Sequence, residues 1–343
     1  DRAVPASAHR LPAVMPSSTS LLVTVTRDGV IESGHLGDVV VATPDGTVTT
    51  FAGDATRPVY PRSALKPFQT TAVLSTLQDL GLHPQEEHLA IISASHDGGD
   101  DQQVEAASVL AEAGLDESAL RCPADWPINE AVRAELDAPT TLSHNCSGKH
   151  AGMLWAHAAA GHDPATYLET DTVLQQRIAR ALAEILDGAP QGPGIDGCGA
   201  PAWLTTTGGL ATGFARLAAG STSVLAAVRD AMVAHPELVG GPSLPDTKLM
   251  LADARVVAKR GAEGVMGCGF VHDRLGPVGI AVKIQDGSDR AAGPVIAAVI
   301  EALGGVPAPD VRRVPVLGGG VPHGEISAVP ELSTRVTEAF GLS

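Results

Sequence analysis

Positive charge is scarce in this 343-residue chain: 23 Lys plus Arg stand against 39 Asp plus Glu, a formal net charge of −16. A surface that acidic cannot neutralise a phosphate backbone, which excludes nucleic-acid binding as a general activity. Lysine is scarcer still, with Lys66, Lys149, Lys248, Lys259 and Lys283 the only five. Arginine evidently serves most surface roles, so each lysine points to a use for an amine that can lose its proton. Long apolar runs are also missing: stretches such as Val295–Leu303 are too short or carry a charge, here Glu301, so no membrane span is expected. The four cysteines, Cys122, Cys146, Cys198 and Cys268, form no CxxC pair. They suit a reducing compartment with reactive or metal-binding thiols better than a disulfide framework, with Cys122 and Cys268 as packing residues. The N-terminus shows no charged segment followed by an apolar core, and a cytoplasmic location is the expectation.

What is present is enough apolar residue, 44%, for a large core. Residues 1–18, rich in Ala, Pro and Ser without periodicity, read as a tail or strap, and 19–343 as a single domain. Leu22–Thr26 and Val39–Thr43 read as strands, the second running through Pro44-Asp45-Gly46 into a hairpin with Thr47–Phe51. From Ser63 the apolar spacing turns helical, and Pro67 fits only in the first turn of that helix. Further helices are expected near 100–114, 147–160, 171–187, 222–235 and 291–303, with strands 264–268 and 279–284 paired about a Gly276-Pro277 turn. Strands first, helices between and strands again predict an α+β fold whose antiparallel sheet draws on both chain ends and packs with a helical region.

Five segments could carry chemistry. In Ser63-Ala-Leu-Lys66 a hydroxyl and an amine lie one helical turn apart, so the amine can serve as the base of the hydroxyl if burial or a second cation keeps it neutral. In Ile91–Gly99 an apolar run ends in Ser93, Ser95, His96 and Asp97. In Ser143–His150, Cys146, Lys149 and His150 can share one face at a helix start, where a thiol pKa falls. Gly194–Pro201 presents Asp196 and Cys198 from a glycine-lined loop. The last two segments together offer a zinc site, for which ordinary ligand preferences favour Cys146 and Cys198 with His150 or Asp196 over Lys149. On strand 279–284, Lys283 points away from Ile280, Val282 and Ile284.

Pro61–Pro67, Ser93–Asp97, Ser143–His150, Gly194–Pro201 and Ala281–Gly287, in this order, resemble the rhizobial-type, or class 3, L-asparaginases over about residues 20–340. The resemblance implies a serine β-lactamase-like fold, shared with glutaminases, a homodimer, and L-asparagine as substrate. It implies Ser63 as nucleophile, Lys66 as its base and Ser95 with Lys283 as a second Ser–Lys pair. It further implies a zinc ion on Cys146, Lys149 and Cys198, with Asp196 close by; this replaces His150 by the lysine. Arg62, His150 and Asp196, beside these motifs, are expected to grip the substrate's carboxylate and amine. Three of the five lysines thus fall inside the motifs, and Lys248 and Lys259 fall outside.

Penicillin-interacting enzymes share the implied fold, but where they carry S-D-N and K-T-G this chain has Ser95-His-Asp97 and Lys283-Ile-Gln285. A glutaminase of the same fold and a non-catalytic zinc or amino-acid-binding protein are the further alternatives.

Overall fold

The computed structural model describes residues 20–342, so the expected tail at 1–18 lies outside the described residues. Its centre is an eight-stranded antiparallel sheet in the order Arg313–Gly318, Val321–Ala328, Ser20–Arg27, Val30–Ala42, Gly276–Ile284, Val265–His272, Val256–Arg260, with Val48–Ala52 paired to Val39–Ala42. Both chain ends supply it, as the order of patterns implied. The strand Val30–Ala42 joins the halves: Ser20–Arg27 pairs along its start, and Gly276–Ile284 pairs with Gly37–Ala42.

Helix Thr207–Ala219 lies across Gly276–Ile284 and Val265–His272 on one face of the sheet, and Asp289–Ala302 packs on the same strands from the other, with Pro330–Phe340 beside it. The first helix approaches so closely that a Cβ on Gly279 would stand 1.9 Å from the Ala211 carbonyl oxygen, and one on Gly267 1.9 Å from the Phe214 ring. Alternation puts Lys283 on this same face, in line with Gly279 and Ala281, and sends Ile280, Val282 and Ile284 to the other.

The helical region is built round Lys66–Asp79, which touches Glu86–Ile92, Ser147–Ala159, Val173–Ile185 and Ser223–Ala234. Ten of its fourteen residues are buried, among them Lys66, Gln69, Thr70 and Thr71. Thr70 and Thr71 return their hydroxyls to the carbonyls of Lys66 and Phe68, at 2.9 and 2.7 Å, so the polar groups are satisfied within the helix. Asp100–Glu112, Ser147–Ala159, Val173–Ile185, Ser223–Ala234 and Asp289–Ala302 stand where the apolar spacing placed them.

Two expectations fail locally. The turn between the late strands is Asp273–Leu275 rather than Gly276-Pro277, because His272 Nδ1 accepts the N–H groups of Arg274 and Leu275 at 2.9 Å and closes the loop one step earlier. Helix Thr207–Ala219 was not anticipated, since Gly208, Gly209 and Gly213 argue against a helix; they are there because neighbours crowd them, Leu186 and Phe68 in the case of Gly213. Cys122 and Cys268 are buried packing residues, as expected. Among the described residues no single helix is long and apolar enough to cross a membrane.

Candidate active site

Ser63 sits in a single 3-10 turn, Arg62–Leu65, that feeds directly into Lys66–Asp79, and the Lys66 N–H closes the turn on the Ser63 carbonyl. Pro67 occupies the first helical turn, as its missing N–H requires. The residue before the serine is strained: Arg62 has φ +54°, a left-handed conformation that a side chain disfavours. Its guanidinium is anchored by Asp196, with Nε and Nη2 at 2.9 and 2.7 Å from Oδ1. That hydrogen bond raises the Arg62 pKa and holds the strained turn against the loop that carries Cys198.

The Lys66 amine is fully buried and is placed 2.5 Å from the Ala94 carbonyl, 2.8 Å from Ser95 Oγ and 3.3 Å from the Asn145 carbonyl. Burial lowers its pKa. As an ammonium it donates to all three oxygens. As a neutral amine it has two N–H groups for the two carbonyls and a lone pair for the Ser95 O–H, so either protonation state leaves every partner satisfied. Ser63 Oγ is not among these partners; it shares with Lys66, Gln69, Lys149, Asp196 and Trp203 the lining of a small cavity of about 10 Å³, room for one water at most.

Beside this cavity Lys149, which lines it, donates from Nζ to Cys198 Sγ at 3.1 Å, and Cys146 Sγ donates to Asn145 Oδ1 at 3.1 Å. Cys146 is held well below the usual thiol range: its neighbour Cys198 lowers it first, burial opposes, and the Lys66 and Lys149 amines assist. Cys198 moves the opposite way, raised by its neighbour Cys146 and by burial. Burial works against the Lys149 ammonium, but the negative charge around the two sulfurs outweighs it and its pKa rises. Two buried thiols and an amine, the amine 3.1 Å from one of the sulfurs, are donors that zinc can accept, and none of the four cysteines is tied in a disulfide. Among the described residues no three His, Cys, Asp or Glu side chains are placed to hold a metal, so an ion here would need the amine as a donor.

A larger cavity of about 560 Å³ adjoins, lined by Tyr60, Arg62, Ile195, Leu204, Glu263 and Lys283, with Arg62 and Ala202 common to both walls. Lys283 therefore faces a substrate-sized space, but it does not pair with Ser95: its amine donates to the Glu263 carbonyl at 2.5 Å, while the Ser95 hydroxyl belongs to Lys66. The expected second Ser–Lys pair is thus not formed, because strand 276–284 delivers Lys283 beside the 260–264 turn rather than beside residue 95. His150 is also not in position to grip a substrate. It is fully buried, lines neither cavity, and is bonded through Nδ1 to the Tyr167 hydroxyl at 2.6 Å; that hydroxyl takes the Arg121 N–H at 3.0 Å. Arg62 and Asp196, expected to hold opposite ends of a substrate, hold each other.

Sequence reasoning missed Asn145 as a carbonyl partner of Lys66, and missed Gln69, Tyr60 and Glu263 as lining residues. The one available signal was Gln69, which a core helix has no reason to bury at the position one turn after Lys66 unless a polar site lies there.

No curated protein matches the chain. Among the solved structures that resemble it in part, two show the extent of the likeness. Mglu in its native form in the presence of 4.3 M NaCl is 17% identical, with TM-score 0.40, over 74% of this chain and 57% of that one. Mglu in its tris and glutamate form is 16% identical, with TM-score 0.39, over 83% and 62%. The chain thus spans less than two thirds of the length of either structure. The sequence model of L-asparaginase II matches residues 23–328, a span that includes Ser63, Lys66, the thiols and Lys283, and the chain accordingly belongs to the L-asparaginase II family of amidohydrolases.

Proposed function

We propose that the protein hydrolyses L-asparagine to L-aspartate and ammonia through an acyl-enzyme on Ser63, on a serine β-lactamase-like frame. The observation that carries this reading is the Lys66 amine, buried, lowered in pKa and satisfied in both protonation states, one turn after a serine on a strained turn.

In the proposed reaction Ser63 Oγ attacks the side-chain amide carbon while neutral Lys66 takes its proton. The oxyanion is met by preorganised donors, of which the Ser63 N–H is the natural first. Lys66 then returns the proton, by way of the Ser95 hydroxyl 2.8 Å away, to the departing nitrogen, and ammonia leaves. Water attacks the aspartyl ester and gives its proton back along the same path, freeing Ser63. Lys283, on the wall of the larger cavity, supplies positive charge for the substrate's α-carboxylate, and Glu263 supplies negative charge for its ammonium, while the Arg62–Asp196 pair braces the turn that carries Ser63. A zinc ion held by Cys146, Lys149 and Cys198 would tie together the segments that carry them and supply positive charge near the cavity that Lys149 lines.

Ammonia release from L-asparagine and L-glutamine, by wild type and Ser63→Ala, tests the reading. Release from L-asparagine that is lost in Ser63→Ala is expected. Equal rates in the two proteins would remove Ser63 as nucleophile, and a faster rate on L-glutamine would make the enzyme a glutaminase.

A further inference from the structure

Of the two lysines outside the motifs, Lys248 and Lys259, the second leads to a group of buried charges behind Ser95. Lys259 and Asp246 are both completely buried, and the Lys259 amine donates to Asp246 Oδ2 at 3.1 Å. The same oxygen accepts the Arg260 N–H at 3.2 Å. The Arg260 side chain then turns inward, and its Nη2 donates to the Ser95 carbonyl at 2.8 Å. From the other side the Ser95 N–H donates to the Val239 carbonyl at 2.9 Å. Both backbone groups of Ser95 are therefore bound, one by a neutral carbonyl and one by a cation.

A guanidinium placed only for stability would close on the carboxylate beneath it. Here Arg260 Nε stays 3.9 Å from Asp246 Oδ1, too long for a hydrogen bond, and neither atom has another partner among the described residues. The arm reaches past its ion pair to the Ser95 carbonyl instead. The turn that starts at Arg260 also touches the other catalytic segments: a Cβ on Gly261 would come within 2.3 Å of the Pro61 carbonyl, just before Ser63, and the Glu263 carbonyl receives the Lys283 amine.

We infer that Arg260, braced by the buried Asp246–Lys259 pair, is a positioning residue that holds Ser95 where its hydroxyl meets the Lys66 amine. The inference rests on the role proposed above for Ser95. An error of an ångström in a proton-transfer group slows the chemical step far more than it weakens substrate binding, so the effect belongs in kcat rather than KM.

The test is ammonia release from L-asparagine by the full chain, with kcat and KM measured separately beside the melting temperature, in Arg260→Met, Arg260→Lys and Ser95→Ala. The expected result for Arg260→Met is a kcat about 30-fold lower or more with KM within about threefold, and for Arg260→Lys, whose amine can still donate to the carbonyl, a loss of roughly three- to tenfold. A kcat in Arg260→Met within about threefold of wild type, while Ser95→Ala is inactive, would overturn the inference and leave the Ser95 assignment standing. A lysine variant as slow as the methionine variant would overturn it too, since the donated bond would then not matter. If Arg260→Met does not fold, wild-type kcat in Arg260→Lys with a lowered melting temperature would show the role to be structural only. Undiminished turnover in Ser95→Ala would instead remove the reading on which the inference rests.

Discussion

The Lys66 amine and the Ser95 hydroxyl, 29 positions apart in the chain, stand 2.8 Å apart in the buried centre of the molecule. Their contact ties the first turn of the central helix to the end of the buried segment 88–95. It also makes Lys66 the lysine of Ser95, a role the motifs had assigned to Lys283. The amine therefore meets Ser95 across the core, while the serine one turn before it, Ser63, is not among its bonded partners.

Arginine cannot replace an amine that must give up a proton. Lys66→Arg is expected to lower kcat/KM for L-asparagine by roughly 10²–10⁴-fold, the usual worth of a general base. In the wild type, kcat/KM rises with pH as Lys66 becomes neutral, with the midpoint below the ordinary lysine value of 10.5 because burial disfavours the ammonium. Loss of that rise in Lys66→Arg, read from ammonia release between pH 5 and 10, checks the assignment.

Lys283 lines the larger cavity without touching Ser95, so its removal should weaken binding more than chemistry. Lys283→Met is expected to raise KM roughly tenfold and leave kcat within about threefold, as loss of a partly solvated charge contact does. A kcat collapse at unchanged KM would return Lys283 to the proton path.

Metal binding by the sulfur–amine cluster predicts that wild-type protein purified with zinc carries the ion and that Cys146→Ala and Cys198→Ala do not. Because Lys149 must release a proton to become a ligand, retention should fall as pH is lowered. Elemental analysis of the three proteins after dialysis at pH 8 and pH 5.5 decides it; equal metal in all three would place the ion elsewhere.

His96 is completely buried and held neutral: its Nδ1 accepts the Gly98 N–H at 3.2 Å and its Nε2 lies 2.8 Å from Ser147 Oγ. Burial lowers its pKa from 6.5 to about 3. A depressed folded pKa means that the unfolded chain binds the extra proton first, so the associated stability is complete above pH 6.5 and is lost as pH falls toward 3. Between those values the slope is on the order of 1.4 kcal/mol per pH unit at most, and His96→Gln should flatten it in urea unfolding at pH 4 to 7.

The close approach of helix Thr207–Ala219 to the sheet makes Gly279 irreplaceable. Gly279→Ala drives a methyl group into the Ala211 carbonyl and is expected to cost about 3 kcal/mol, at the upper end for overpacking, seen as a lowered melting temperature. Arg62→Gly tests the opposite case: relief of a φ of +54° is offset by loss of the Asp196 ion pair, so stability should change little while turnover falls.

Sequence alone carried the parts of this protein that depend on neighbours in the chain. Apolar spacing located Lys66–Asp79 and the five other expected helices because each buries one face or more. Alternation placed Lys283 opposite Ile280, Val282 and Ile284 because strand side chains have period two. The Ser63–Lys66 and Cys146–Lys149 spacings were legible for the same reason, since three residues span about one helical turn.

Tertiary structure decided which distant group each of these meets. Lys66 goes to Ser95, Lys283 to the Glu263 carbonyl, Arg62 to Asp196, His150 to Tyr167, and Lys259 with Arg260 to Asp246. Those choices follow from how helices stack and how close glycines let them come, a balance of packing over the whole core that no local spacing encodes. The scarcity of lysine drew attention to each amine, and four of the five, Lys66, Lys149, Lys259 and Lys283, are held by named partners; only the fold decided which partner belonged to which.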